Sequence, residues 1–180
     1  MSSDSRAFDS KAVANRFLDI ADAAKKPLCP MKLQKLTYFA HGWHLAFKDA
    51  PLINEMVEAW TYGPVVPSLY HEFKEFGRSP IDERATRSRL EGSKLKILTP
   101  TLEEGPADCL NFAKSLLDQV WTVYGKYSAF QLSNMTHAPG TPWHQIWQEH
   151  KGQLPRGIDI PQDRIRDYFK AKLANSAQHA

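Results

Sequence analysis

The stretch PMKLQKLTYFAHGWHLAFK, Pro30 to Lys48, decides the reading of this chain. Proline is well placed at the first position of a helix, where its missing N–H costs nothing. From there Leu33, Leu36, Ala40, Trp43 and Phe47 recur at three and four residues, an apolar seam of about four helical turns. The opposite side carries Tyr38, His41 and Leu45, so little of the circumference is polar. A helix that is apolar on most of its surface is packed by neighbours on several sides. The segment of about 30–48 is therefore expected to be the central spine of the fold.

The flanking segments supply those neighbours. Val13, Phe17, Ile20, Ala21 and Ala24 mark a first helix over about Lys11 to Lys25, with Asp9 or Ser10 as its cap and Pro27 as its stop. From Glu55 to Tyr62 the period changes to two, which predicts a strand ended by Gly63-Pro64. Pro67 opens a helix with Leu69, Tyr70, Phe73 and Phe76 on one face and Gly77 beyond its end. Lys94 to Thr99 reads as a second strand, and the two strands are expected to form one small ribbon. Further helices are expected from Pro106 to Gly125, from the capping box of Ser128 and Gln131, from Thr141-Pro142 and from Pro161. The expectation is a mainly α (α+β) single domain spanning residues 1–180, with residues 1–9 and 174–180 frayed.

Composition agrees with one domain. The 180 residues are 42% hydrophobic and 24% charged, ordinary values for a globular chain, which excludes a collagen, a coiled-coil rod and a wholly disordered chain. No apolar run approaches the length of a membrane span, and Met1 to Asp9 has no apolar core of a signal peptide. A cytoplasmic protein without membrane partners is expected. Cys29 and Cys109 match no zinc or redox spacing and read as reduced thiols.

The net charge of +3 is unevenly placed. Between Arg78 and Lys96 lie six basic and three acidic residues, so this one segment carries the whole excess. Nucleic-acid binding typically engages about 6–10 phosphates, which argues against nucleic acid as the main partner. Such an excess suffices to steer an acidic protein. The segment's Arg84, Arg87, Arg89 and Lys94 are accordingly candidates for a protein contact.

Catalytic signatures are missing: there is no G-x-S-x-G, no phosphate-cradling glycine loop and no H-E-x-x-H. His41 and His44 share a helix face, but no ligand pair has short-loop metal spacing, so no metal and no cofactor are expected. Glu72/Glu75 and Glu103-Glu104 read as solvated pairs rather than an acid–base couple. The helices either side of Gly125 have a helix-turn-helix outline, with Gln131, Ser133, Asn134, Thr136 and His137 on the second, yet that helix carries no Arg or Lys. Among five tryptophans, Trp43 and Trp121 read as core, while Trp60, Trp143 and Trp147 lie near loops.

Three ordered blocks resemble a known family. MKLQKLTYFAHGWHLAF is similar to a K-L-x-K-L-x-Y-x-A-x-G-W-x-L helix, here Lys32 to Leu45. EAWTYGPVVPSLYHEF matches E-A-W-x-x-G-P-V-x-x-x-x-Y-x-x-F, here Glu58 to Phe73. LSNMTHAPGTPWHQIW, Leu132 to Trp147, resembles an L-S-x-x-T-H block followed by P-W, and IPQDRIRDYFK fits the usual end. Together they resemble the Panacea domain of SocA-like antitoxins and prophage-associated proteins. The resemblance implies a non-enzymatic antitoxin that neutralises a cognate toxin by direct binding, with a link to delivery to a Clp-type protease. It brings no catalytic residues. It leaves open whether Tyr38, Gly42, Trp43, Gly63, Pro64, Thr136, His137 and Trp143 are scaffold or contact surface. Trp60 and Tyr62 join the basic segment as expected toxin contacts. The alternative is a nucleic-acid-binding transcriptional regulator that uses Arg78 to Lys96.

Overall fold

The computed structural model describes residues 7–177. Its elements in chain order are α1 (Ser10–Ala23), α2 (Pro30–Lys48), β1 (Glu58–Trp60), β2 (Gly63–Val65), α3 (Pro67–Phe73), β3 (Arg87–Glu91), β4 (Lys94–Leu98), α4 (Leu110–Tyr124), α5 (Ala129–His137), α6 (Pro142–Glu149) and α7 (Gln162–Ala177). Short 3-10 turns stand at Lys74–Phe76 and Leu102–Glu104. The fold is mainly α.

Helix α2 is the spine, as its all-round apolar pattern requires. It packs against α1, α4, α5 and α7. Its closest partner is α7, and the reason is Gly42. A Cβ at that position would lie 2.2 Å from the Phe169 ring, so the missing side chain lets the two helices approach. Phe169 fills the gap, with its ring 5.0 Å from that of Trp43 and 6.0 Å from that of Tyr38. Trp43 also donates from Nε1 to the Tyr124 hydroxyl at 3.1 Å. Tyr38, Gly42 and Trp43 thus all take part in the packing of α2 against α7.

The strands depart from the expected single ribbon. Gly63-Pro64 does not end a long strand; it begins the return strand β2, antiparallel to a shorter β1 with Trp60 opposite Gly63. The reversal needs the positive φ of Gly63, +103°, which an L side chain rarely adopts. On its other side β1 is covered by the stretch before α7, where Ala59 N–H donates to Ile158 O and Ile160 N–H to Val57 O. Lys94–Leu98 pairs instead with Arg87–Glu91, a second two-stranded sheet made inside the basic segment. The alternation that builds β3, with Arg87, Arg89 and Glu91 on one face, is masked in sequence by the density of charge.

A helix boundary shifts as well. Helix α4 begins at Leu110 rather than Pro106. Helix α7 runs on through Ala177, with Ala174 to Ser176 exposed. Before α1, Phe8 is fully buried and bridges to Ile53, with its N–H on Leu52 O at 2.7 Å. Of the stretches expected to fray, residues 1–6 and 178–180 lie outside the described residues.

Candidate functional site

The turn between β1 and β2 projects Trp60, Thr61 and Tyr62, and three helices hold its backbone in place. Trp143 of α6 donates from Nε1 to the Trp60 carbonyl at 2.7 Å. The His137 ring hydrogen-bonds the Thr61 backbone. Ser133 of α5 donates its hydroxyl to the Tyr62 carbonyl at 2.9 Å. Lys35 of α2 donates from Nζ to the Pro64 carbonyl at 2.9 Å. One step further, buried Gln34 closes a two-way pair with Val66, accepting its N–H at 2.8 Å and donating to its carbonyl at 3.0 Å.

Thr136 lies under the turn: a Cβ on Gly63 would sit 2.6 Å from Thr136 Oγ1 and 2.7 Å from Lys35 Nζ. Thr136 donates to the Ser133 carbonyl, and Thr141 closes the following corner onto the Thr136 carbonyl, both at 2.7 Å. His137 and Trp143 stack edge to face with centroids 4.0 Å apart. Gly63, Pro64, Thr136, His137 and Trp143 thus serve to brace the turn. What the turn exposes is Tyr62, whose surface is 72% accessible, and one side of Trp60. Trp60 is itself fixed by donation to Glu58 at 2.7 Å and by the Tyr70 ring, 4.7 Å away at 63°.

Beside the turn opens a cleft of about 560 Å³. Met31, Trp60, Tyr62 and Tyr70 supply apolar wall, and Lys74 and Arg156 are its exposed cations. Lys35 lies in the inner wall, 1% exposed. Burial pushes its ammonium down to about 7. The same buried lysine, after desolvation, adds to holding His137 below its ordinary value. Among the described residues, no carboxylate lines the cleft.

The basic segment lies elsewhere. None of Arg84, Arg87, Arg89 and Lys94 lines the cleft that holds Trp60 and Tyr62. Arg84 is tied to α1 through Asp19 at 2.9 Å and Asp22 at 2.5 Å. Arg87 is tied to Asp9 at 3.3 Å and to Glu104. Buried Asn15 anchors the start of the segment, bonding the Ala85 N–H and both the Ala85 and Pro100 carbonyls at 2.8–3.0 Å. Arg89 and Lys94 are exposed and make no ion pair among the described residues. The other face of this hairpin holds Leu90, Leu95 and Ile97, which are 65–70% exposed.

The remaining candidates resolve into structure. Glu72 binds Lys11 at 2.6 Å and the Thr86 N–H at 2.7 Å, while Glu103 pairs with Lys114 and Glu104 caps its own 3-10 turn. His41 and His44 are buried on α2, and among the described residues no group of three or more His, Cys, Asp or Glu is placed to hold a metal. Burial lowers His41 to about 3. On α5, Ser133 and Thr136 are buried and bonded, so the outlined recognition helix turns those groups inward. Sequence reasoning missed Lys35, Tyr70, Lys74 and Arg156. Only Lys35 carried a signal, as a cation beside the apolar seam positions Leu33 and Leu36 of α2.

Fold and site together define a mainly helical domain that holds a stiff aromatic turn beside a cation-bearing cleft. The chain belongs to the SocA-like antitoxin family: the family model described as "Antitoxin SocA-like, Panacea domain" matches residues 33–144. Antitoxin SocA of Caulobacter vibrioides (strain NA1000 / CB15N) is 34% identical over 170 residues, 94% of this chain and 87% of that protein. No solved structure matches. No helix among the described residues is long and apolar enough to cross a membrane.

Proposed function

We propose that this protein is an antitoxin that acts in the cytoplasm as a single domain, neutralises a cognate toxin by direct protein–protein contact and catalyses no reaction. The observation that carries the reading is the likeness to Antitoxin SocA over 94% of the chain, which takes in every element that braces the turn. Trp60 and Tyr62 at that turn suit a contact, because aromatic side chains on a rigid support bring large area at low entropic cost. On the hairpin, Leu90, Leu95 and Ile97 on one face and Arg89 and Lys94 on the other offer further contacts, while Arg84 and Arg87 fasten it. In its fuller form the antitoxin also hands the toxin to a Clp-type protease.

Co-expression with the product of the adjacent open reading frame tests the first statement. The pair is expected to co-purify and to restore growth arrested by the partner alone; failure of both sinks the reading. The adaptor step is tested separately by the toxin's half-life in cells. It should shorten in the presence of this protein only where the protease is intact.

A further inference from the structure

We propose that the cleft beside the β1–β2 turn receives a short acidic, apolar segment of the toxin, held between the aromatic walls and the cations Lys74 and Arg156. The partner's being a toxin rests on the antitoxin reading; the chemistry of the segment rests on the cleft.

Charge is the first argument. Lys74 and Arg156 stand at the cleft with no Asp or Glu among the lining residues. In a chain with nearly as many acidic as basic residues, a concavity this size without a carboxylate is a local positive field. Of the acids next to lining residues in sequence, Glu58 is occupied by the Trp60 indole, and Glu75, which follows Lys74, is not among the lining residues. The start of α2 adds to that field. Pro30 and Met31 form part of the wall, and α2 begins there with no acidic residue in its first turn and no side-chain cap on Cys29. Its N–H groups and dipole therefore meet no compensating negative charge from the cap or the first turn.

Shape and wall chemistry are the second argument. A volume of about 560 Å³ lies within the range of about 300–1,000 Å³ typical of ligand clefts. The walls are aliphatic and aromatic, with Met31, Val65 and Leu154 facing the Trp60–Tyr70 pair. They suit an apolar side chain flanked by carboxylates. The same walls lack the glycine loop of backbone N–H groups that cradles nucleotide phosphates, so a protein segment is favoured over a nucleotide. Backbone pairing with the ribbon is closed: β1 is covered by residues 158–160, and Gln34 caps β2 at Val66. The segment is thus read by side chains.

The test is calorimetry of the purified toxin with the full chain at two salt concentrations. Wild type is compared with Lys74→Glu/Arg156→Glu, with Lys74→Ser/Arg156→Ser, and with Tyr62→Ala. All three residues are exposed, and thermal melts check the fold of each variant. The charge-reversed pair is expected to bind at least about tenfold more weakly and to lose most of its salt dependence, the serine pair to lie between, and Tyr62→Ala to fall about tenfold. Hydrogen exchange should show the protected toxin segment to be net negative. Affinities within about twofold of wild type, with binding lost instead in Leu90→Asp/Ile97→Asp, would overturn the cleft and leave the antitoxin reading standing. No complex with wild type overturns both. ATP binding that quenches tryptophan, fails in the charge-reversed pair and leaves toxin affinity untouched would replace the segment by a nucleotide.

Discussion

Buried ionisable residues of α2, Lys35 and His41 foremost, set how this fold responds to pH. Lys35 keeps its proton to about 10.5 when solvated but releases it near 7 in the fold, because burial disfavours the ammonium. Between those values the unfolded chain holds more protons than the folded one, so stability rises as pH rises. Lys32 shifts in the same direction, again through burial. His41 moves from 6.5 to about 3, and burial lowers its neighbour His44 as well, so stability falls as pH drops from 6.5. Exposed Asp49 and Glu103, lowered by their lysine partners, deepen the loss only in the carboxylate range. Above about pH 10 the buried Tyr38 hydroxyl, whose titration is pushed up, reverses the alkaline gain. The melting temperature is therefore expected to climb from about pH 4.5 to about pH 9. Lys35→Met should flatten the upper part of the climb and His41→Leu the lower part. A wild-type profile flat across this range would contradict the burial of both groups.

Gly63 gives a second prediction at the same scale. Alanine there must hold φ near +103° and also displace Thr136 Oγ1 and Lys35 Nζ. Gly140 has a comparable φ of +82°, but a Cβ there would meet nothing within 4 Å. Both substitutions carry backbone strain of about 1–3 kcal/mol. Gly63→Ala adds an overpacking cost of about 1–3 kcal/mol. Denaturant titration should thus find Gly63→Ala the more destabilised, and equal losses would argue against the close packing under the turn. In sequence the Gly-Pro pair was readable as punctuation. That it starts the return strand was not, because the answer depends on Lys35, Ser133 and Trp143 arriving from distant segments to hold the carbonyls.

At the scale of elements, what the sequence announced well were the helices. Their seams repeat locally, so Pro30–Lys48, the proline start of α3 and the cap-plus-proline start of α6 are legible from a few residues. The hairpin β3–β4 was hidden because its stability signal, an apolar face packed on the body, is absent: Leu90, Leu95 and Ile97 stay exposed. The structure instead fastens it at its base. Asn15 satisfies three backbone groups there, all buried, whereas Arg84 and Arg87 reach exposed carboxylates. Removing Asn15 leaves buried backbone groups unpaired, at about 1–3 kcal/mol each before any relaxation. Exposed ion pairs contribute about 0–1 kcal/mol. Asn15→Ala should therefore lower the melting temperature clearly. Arg84→Ala/Arg87→Ala should leave it nearly unchanged while speeding hydrogen exchange in residues 87–98 relative to α2. A larger loss of stability from the arginine pair than from Asn15→Ala would reverse this ranking.

For the whole molecule, the match of the family model to residues 33–144 does not mark a folding unit. The spine runs through that stretch, but two of its neighbours lie outside it. Helix α1 buries Val13, Phe17 and Leu18, and α7 buries Ile165 and Phe169. Phe169 occupies the space over Gly42 that no residue of 33–144 fills, and it touches Tyr38, Phe39 and Trp43 at once. Residues 158–160 also close the free edge of β1, so removing them opens the ribbon that presents Trp60 and Tyr62. A fragment of residues 33–144 is expected to lack a cooperative thermal transition. Within the full chain, Phe169→Ala should cost about 3–5 kcal/mol, the range for deleting a buried phenylalanine. The same substitution should weaken toxin binding no more than the loss of folded protein accounts for, because the ring is fully buried on α7 and the turn is braced from α2, α5 and α6. Calorimetric affinity corrected for the folded fraction measures this directly. A further loss beyond that fraction would mean that α7 positions the turn as well as the core.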